Sequence, residues 1–108
     1  NIALGQSYVG HLLANEIVGG NIFYLLCAYN AGPGNLKKWL PKTNFAEDPL
    51  LFIESIRSRE TRQFIERVST NYWIYRIRLG QSTPSLDATA SGLWPTYQPQ
   101  ERNYAGNE

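Results

Sequence analysis

The 108-residue sequence is poor in the residues that form cross-links and metal centres. Cysteine occurs once, at Cys27, and histidine once, at His11. A single cysteine excludes an internal disulfide and any zinc cluster built from several cysteines, and Cys27 is expected to be a small buried hydrophobe. His11 has no carboxylate at a neighbouring helical position, since Glu16 lies five residues away. We therefore interpret it as a surface side chain and expect neither a metal nor a cofactor.

Long apolar runs and an excess of one charge are also missing. No stretch approaches the roughly 20 apolar residues that span a bilayer, and no basic start followed by an apolar run marks a signal peptide. Ten basic and nine acidic residues leave a formal charge of +1, so nucleic acid is not an expected partner. Because the chain begins with Asn1 and enters a helical pattern almost at once, we expect it to be part of a longer protein.

Helical periodicity is abundant through the first 80 residues. Apolar residues recur at spacings of three and four, and no segment alternates as a half-buried strand does, so we predict an all-α fold of about five helices. Asn21, Asp48 and Ser58 are the expected helix caps, and the stripe of the last helix is expected to be Phe64, Val68, Tyr72, Tyr75 and Leu79. The predicted helices cover about 1–17, 22–29, 35–40, 49–56 and 58–79.

The composition changes after residue 80. Residues 81–108 are rich in Ser, Thr, Pro, Gly and Asn, which favours an irregular, flexible or loosely docked tail. Leu93, Trp94 and Tyr97 could attach part of this tail to the domain surface or to another domain. We therefore divide the chain into a helical domain, 1–80, and a tail, 81–108.

One candidate binding site lies where the second helix ends. The segment 28–34 brings an aromatic hydroxyl, Tyr29, and an amide, Asn30, to the end of an apolar helix, and Ala31 and Gly32 follow in a glycine-rich turn. Glycine allows a ligand to approach the backbone closely, and both side chains can donate and accept hydrogen bonds. Such an uncharged, aromatic-edged corner suits a carbohydrate better than a phosphate. The alternative is a helix C-cap with a purely structural role.

A second candidate group combines acidic and basic residues. Glu54 sits in an apolar segment, so it is either partly buried and paired or lines a cleft. Arg62 could pair with Glu54 or with Glu60. The alternative is a structural ion pair with a favourable acidic charge at a helix start.

Several ordered motifs resemble the soluble lytic transglycosylases, whose catalytic domain is lysozyme-like. The segment 28–34 matches the family's Ala-Tyr-Asn-Ala-Gly motif, and 52–56 and 60–65 resemble its Phe-Ile-Glu-x-Ile and Glu-Thr-Arg-x-Tyr-Val motifs. The resemblance covers about residues 1–80, the C-terminal half of the family's catalytic domain. The remaining matching segments are Asn1-Ile2, Leu4-Gly5, Tyr8-Val9, Gly20-Asn21, Trp39-Leu40, Asn71-Tyr72 and Tyr75.

The resemblance implies an enzyme of the bacterial cell envelope, periplasmic or outer-membrane associated. It would cleave the bond between N-acetylmuramic acid and N-acetylglucosamine in peptidoglycan, with one glutamate as general acid and then base, and form a 1,6-anhydro end. By the same resemblance, Tyr29, Asn30, Ala31, Gly32 and Glu54 would contact the glycan. Glu60, Arg62 and Tyr72 would support them.

The departures from the family pattern concern the catalytic step. The family's catalytic Glu-Ser and its Gly-Leu-Met-Gln motif lie before the segment that Asn1 begins, so we expect the general acid N-terminal of Asn1 and this chain alone to be inactive. Arg57 and Arg59 replace other residues of the family's pattern, and Phe64 lacks the usual tyrosine hydroxyl. A non-catalytic glycan-binding module and a helical interaction domain remain alternatives. A domain cut in two would also expose core surface and self-associate.

Overall fold

The computed structural model describes residues 5–40 and 47–97 and confirms the all-α fold. Within these ranges the chain forms six helices, and its one β feature is an isolated antiparallel bridge between Asn21 and Thr96. No helix in the described ranges is both long and apolar enough to cross a bilayer. The helices are α1 (Gln6–Leu13), α2 (Ile22–Ala31), α3 (Pro33–Trp39), α4 (Pro49–Ser55), α5 (Arg59–Arg78) and α6 (Pro84–Ala90).

Helix α1 ends earlier than its apolar pattern predicts. It stops at Leu13, not Ile17, and the chain then turns through residues 14–20. The Asn15 side chain accepts the backbone N–H of Ile17 at 2.8 Å, a local bond that competes with continuation of the helix. Gly19 and Gly20 then take positive φ values. The expected cap at Asn1 lies outside the described residues.

Helix α2 is the centre of the fold, as its uniformly apolar sequence predicts. Asn21 caps it, because its side chain accepts the N–H of Tyr24 at 3.1 Å. The helix packs against α1, α3 and α5. Burial of each large side chain contributes roughly 1.5–3 kcal/mol, so this core supplies most of the driving force for folding. Its buried residues are Phe23, Leu25, Leu26, Cys27 and Ala28.

The two caps predicted for the second half of the chain are both present. The carboxylate of Asp48 accepts the N–H groups of Leu50 and Leu51 at 3.0 and 3.3 Å, and α4 begins at Pro49, whose missing N–H costs nothing in the first turn. The hydroxyl of Ser58 accepts the N–H of Thr61 at 3.2 Å and begins α5. These local signals fix where both helices start.

The buried stripe of α5 differs from the predicted one. Tyr75 and Leu79 are 44% and 48% exposed. The face turned to the core instead carries two small polar residues and a charged one, which hydropathy alone does not identify. Its buried residues are Thr61, Ile65, Ser69 and Arg76.

The chain after residue 80 contains a helix that the sequence analysis did not predict. Helix α6 docks on the second half of α5, where the indole N–H of Trp73 donates to the hydroxyl of Ser85 at 3.0 Å. The buried Arg76 donates from Nε to the carbonyl of Ser82 at 2.6 Å. The described residues up to 80 form five helices, as expected. The irregular tail expected after them is interrupted by α6, because side-chain bonds to α5 stabilise this short helix.

The segment that follows α6 returns to the start of α2. The N–H of Ile22 donates to the carbonyl of Pro95 at 3.0 Å, and the N–H of Tyr97 donates to the carbonyl of Gly20 at 2.7 Å. Trp94 packs on Tyr24 and Phe52, with ring centroids 5.2 and 5.7 Å apart. We call residues 93–97 the C-terminal strap. The attachment expected of Trp94 and Tyr97 is present, whereas Leu93 is 63% exposed.

Candidate functional site

The candidate site lies at the C-terminal end of α2, where the buried helix reaches the surface. Tyr29 and Asn30 occupy its last turn and are half-buried, whereas Cys27 and Ala28 just before them are fully enclosed. Gly32 ends the helix with φ 94° and ψ 146°, a backbone conformation that is essentially restricted to glycine. Helix α3 then begins at Pro33. The glycine thus provides the sharp change of direction that leaves Tyr29 and Asn30 at an accessible corner.

Tyr29 lies between helices α1 and α5. Its ring is parallel to that of Phe64, with centroids 6.0 Å apart, and tilted against Tyr8 at 5.5 Å. Its hydroxyl oxygen accepts the backbone N–H of Gly5 at 3.2 Å. The side chain is therefore held from both sides, but it is not sealed inside the helical packing.

These rings belong to a longer aromatic row across the surface. The His11 ring stacks on Tyr8 at 6.3 Å, and the Arg67 guanidinium lies over the ring of Phe64 at 5.8 Å. His11 and Arg67 are exposed, and Tyr8 is 42% exposed. Aromatic surfaces of this kind provide flat apolar area with little loss of side-chain entropy on binding. Within the row the rings lie against one another, and this packing fixes the position of Tyr29.

Asn30 is held by a residue of α5. Thr61 is 1% exposed, and its hydroxyl donates to Oδ1 of Asn30 at 2.7 Å. This bond joins the end of α2 to the first turn of α5 across 31 residues of sequence. Because a buried hydroxyl without a partner costs about 1–3 kcal/mol, the bond contributes to holding α2 and α5 together.

The backbone of the glycine-rich turn is already engaged within the fold. The N–H of Gly32 donates to the carbonyl of Ala28 at 2.8 Å, and the carbonyl of Ala31 accepts from the Asn35 side chain at 2.7 Å. The Gly32 N–H is therefore not free to bind a ligand. The polar groups available at the corner are chiefly the side chains of Tyr29 and Asn30.

The predicted ion pair is absent from the described residues. Arg62 is half-buried, and its guanidinium donates to the carbonyl of Ile56. Glu54 and Glu60 are both exposed, and neither pairs with Arg62 within the described part of the chain. Arg62 therefore anchors the turn between α4 and α5. Tyr72 is half-buried further along α5, where the Arg76 guanidinium lies 5.8 Å from its ring, and it makes no described contact with Tyr29 or Asn30.

Cys27 lies one turn before the site without sharing its surface. Its side chain is fully buried, and burial raises the pKa of the thiol to about 12. The thiol therefore stays protonated at neutral pH and is a poor nucleophile. Across residues 5–40 and 47–97, no three His, Cys, Asp or Glu side chains form a group that could hold a metal ion.

The sequence analysis did not identify two residues that hold Tyr29 and Asn30 in place. Thr61 lies between Glu60 and Arg62, the residues expected to support the site, but it is Thr61 that contacts Asn30. Phe64 was placed on an apolar stripe and noted as lacking the family's tyrosine hydroxyl, but its ring also packs on Tyr29. The spacing of 61 and 64 puts both on one face of α5, which is a signal that the sequence does contain.

Curated proteins with a shared name are similar to most of this chain. The soluble lytic murein transglycosylase of Escherichia coli (strain K12) is 34% identical over 92 residues, which cover 85% of this chain and 14% of that protein. The protein of the same name from Salmonella typhimurium (strain LT2) is 36% identical over 81 residues, covering 75% of this chain and 12% of its own length. No protein-family model matches the chain, and no solved structure matches it significantly.

The structure is an all-α fold with a polar corner at the end of its central helix, and the similar sequences specify its family. Over the matched stretch the chain belongs to the soluble lytic murein transglycosylase family. The chain spans about one seventh of the length of the curated relatives that it matches.

Proposed function

We propose that this chain is the glycan-groove portion of a peptidoglycan lytic transglycosylase. The observation that carries the proposal is the position of Tyr29 and Asn30, half-buried at the end of the buried helix α2 and held by α5. The family to which the similar proteins belong supports the same proposal from sequence. The reaction proposed for the whole protein is cleavage of the β-1,4 bond between N-acetylmuramic acid and N-acetylglucosamine, with formation of 1,6-anhydro-N-acetylmuramic acid.

The chemistry requires a single carboxylic acid that first donates and then accepts a proton. The muramoyl 6-hydroxyl displaces the leaving sugar within the same molecule, so no second carboxylate is needed as a nucleophile, unlike the usual paired arrangement. Such an acid requires an apolar setting. Glu54 and Glu60 are both exposed, which disfavours either of them in this role. We therefore propose that the acid belongs to a segment N-terminal of Asn1 and that this chain alone does not cleave glycan.

Within this proposal the described residues divide into contact and support. Tyr29 and Asn30 contact the sugar, and the small residues Ala31 and Gly32 allow the sugar to approach the backbone closely. Glu54 faces the glycan or its peptide stem from α4. Arg62 supports the site indirectly, through the turn between α4 and α5, with Glu60 in the first turn of α5. A supporting role for Tyr72 would act along α5, since it makes no described contact with Tyr29 or Asn30.

The proposed setting is the bacterial cell envelope, periplasmic or outer-membrane associated, with peptidoglycan glycan strands as partner and without nucleic acid. Self-association is a further expectation of a partial domain. It is favoured by exposed apolar side chains at Leu50, Leu51, Ile74 and Ile77. Sedimentation over a range of protein concentrations would measure it, and a monomer at all concentrations would contradict it.

The activity part of the proposal is tested with purified cell-wall sacculi. We expect no fall in turbidity and no anhydro-muropeptides in the soluble fraction when this chain is added alone. Release of anhydro-muropeptides by the chain would show that it carries its own acid, and Glu54→Gln and Glu60→Gln would then identify which carboxyl acts.

The binding part is tested by NMR titration with a tetramer of N-acetylglucosamine. We expect the amide signals of Tyr29 and Asn30 to shift and those of Asn71, exposed on the second half of α5, to stay in place. Asn30→Ala should weaken binding, and Asn71→Ala is the matched control because it removes an amide from the surface away from the site. Unchanged binding of Asn30→Ala would contradict the proposed site.

A non-catalytic glycan-binding module is the second candidate, because the same exposed corner without an acid would bind and not cleave. The two candidates differ when the chain is extended at its N-terminus. Extension with the matching upstream segment of a relative should confer release of anhydro-muropeptides on the enzyme portion, whereas a binding module would stay inactive.

A further inference from the structure

We propose that Arg67 is a specificity-determining residue beside this site, and that its guanidinium binds a carboxylate attached to the muramoyl residue of the ligand. The sequence analysis did not single out Arg67. The inference rests on the proposed function and deepens it, because it adds a charged ligand group to the contacts that the uncharged side chains of Tyr29 and Asn30 can make.

Arg67 lies beside the polar corner and not at it. Its guanidinium carbon is 5.8 Å from the centre of the Phe64 ring. That ring is parallel to the ring of Tyr29, with centroids 6.0 Å apart. Phe64 and Arg67 are three residues apart and therefore share a face of α5. The cation thus lies one aromatic ring away from Tyr29, on the same side of the helix.

The positive charge of Arg67 has no carboxylate partner among the described residues. Its side chain is exposed, and its described contact is the one with the Phe64 ring. On a helix, a carboxylate three or four residues away would reach it. Glu66 is adjacent in sequence and points to another side of α5, and Glu60 is about two turns earlier. The four residues at the reachable positions are all uncharged. They are Gln63, Phe64, Thr70 and Asn71.

The contact with Phe64 prepares Arg67 to bind a planar anion. An exposed arginine loses rotamer freedom when it binds a ligand, and attraction to the ring restricts the guanidinium beforehand. The guanidinium has five N–H donors in a planar fork and no acceptor, so it matches a carboxylate through two parallel hydrogen bonds. Arg62, which is closer to the corner in sequence, already donates to the carbonyl of Ile56.

A muramoyl residue provides such an anion. N-acetylmuramic acid differs from N-acetylglucosamine by a lactyl ether, whose carboxyl group is either free or joined to a peptide stem with a carboxylate of its own. Both sources offer the same group, a carboxylate held beside an N-acetylated sugar ring. A glycan of N-acetylglucosamine alone has none, so a contact at Arg67 would favour muramoyl glycans over neutral ones.

The test compares three disaccharide probes that share the same sugar rings. They are N-acetylglucosaminyl-N-acetylmuramic acid, its lactyl amide, and its conjugate with L-alanyl-D-isoglutamine, and they carry a lactyl carboxylate, no charge and a stem carboxylate, respectively. Each is titrated at low salt into the 15N-labelled chain. We expect at least one charged probe to bind about 3- to 10-fold more tightly than the amide, and the tighter one identifies the source. Added salt should reduce the difference.

Variants of two arginines separate a local contact from an effect of net charge. Arg67→Gln should lower the affinity for the preferred charged probe to that of the amide and leave the amide unaffected. Arg67→Lys keeps the charge without the planar fork and should retain part of the preference. Arg78→Gln is the matched control, because Arg78 is also exposed on α5 and lies about 16 Å further along the helix. It should leave the preference unchanged.

The outcomes separate the inference from the proposed function. If all three probes bind the natural chain equally, glycan binding stands and the role of Arg67 is wrong. The role is also wrong if Arg78→Gln removes the preference as fully as Arg67→Gln does, or if Arg67→Gln weakens all three probes to the same extent, as a loss of packing on Phe64 would. If no probe perturbs the chain at millimolar concentration, the proposed glycan binding and the inference both fall.

Discussion

Trp94 should be as important to the stability of the helical domain as a core residue, although it lies in a segment whose composition is typical of a mobile tail. Its indole packs edge-on against Phe52 and tilted on Tyr24, at centroid distances of 5.7 and 5.2 Å. The neighbouring Pro95 is buried, and its carbonyl accepts the N–H of Ile22. Substitution of Trp94 by Ala would therefore detach the strap from the start of α2.

The expected cost follows from these contacts. Each aromatic pair contributes about 0.5–1.5 kcal/mol beyond the burial of its surface. The indole is half-buried, and burying about 100 Å² of apolar surface contributes roughly 2.5 kcal/mol. We therefore expect Trp94→Ala to lower the free energy of unfolding by about 3.5–5.5 kcal/mol. At 3.5 kcal/mol the Tm of a domain of this size would fall by about 14–28 °C.

Urea unfolding followed by far-UV circular dichroism measures this effect. Leu93→Ala is the matched control, because Leu93 is adjacent and 63% exposed, so its truncation should change the free energy of unfolding by less than about 0.5 kcal/mol. Equal midpoints for the two variants would refute the reasoning and show that the strap is not part of the cooperative unit.

Three further predictions concern individual side chains. Ser69→Ala should raise the free energy of unfolding by about 1 kcal/mol in urea unfolding, because the buried Ser69 hydroxyl has no hydrogen-bond partner among residues 5–40 and 47–97 and alanine favours the helix. No gain would mean that the hydroxyl is satisfied in solution. Asp48→Ala should lower the free energy of unfolding by about 1 kcal/mol, because it removes the cap of α4. Asp87→Ala removes no cap and should lower it by only a few tenths of a kcal/mol. The buried Cys27 thiol should resist a thiol reagent until the chain unfolds. Burial raises its pKa from the ordinary 9.0 to about 12 in the folded state, so the unfolded chain loses the thiol proton first as the pH rises. The stability that the protonated thiol contributes is therefore complete below pH 9.0 and is lost as the pH rises towards about 12. Rapid labelling of the native chain, or an alkaline stability profile unchanged in Cys27→Ala, would contradict the last prediction.

Local chemistry made much of the helical framework predictable. The caps at Asn21, Asp48 and Ser58 are confirmed, because a short polar side chain that accepts a nearby N–H acts over two or three residues and needs no distant partner. The central position of α2 is also confirmed, since a helix that is apolar nearly all round can be stable only inside a domain.

The candidate site was only partly predictable. The sequence indicates that Tyr29 and Asn30 lie at the end of a buried helix, next to a glycine that allows the turn. It does not reveal that Asn30 bonds to Thr61 or that Arg62 donates to the carbonyl of Ile56. Charge pairing suggested a carboxylate for Arg62, but the backbone carbonyl at the α4–α5 turn lies closer.

By itself, the sequence determined the helix starts, the apolar centre and the residue types at the polar corner, because each of these depends on neighbours within one or two helical turns. Only the tertiary structure decided whether residues 81–97 pack on the helices and which residue bonds to Asn30. Helix α6 and the strap are stabilised by Trp73, Arg76 and Tyr24, and Asn30 is oriented by a hydroxyl 31 residues away. Composition cannot report such contacts, because their free energy exists only once distant segments have packed together.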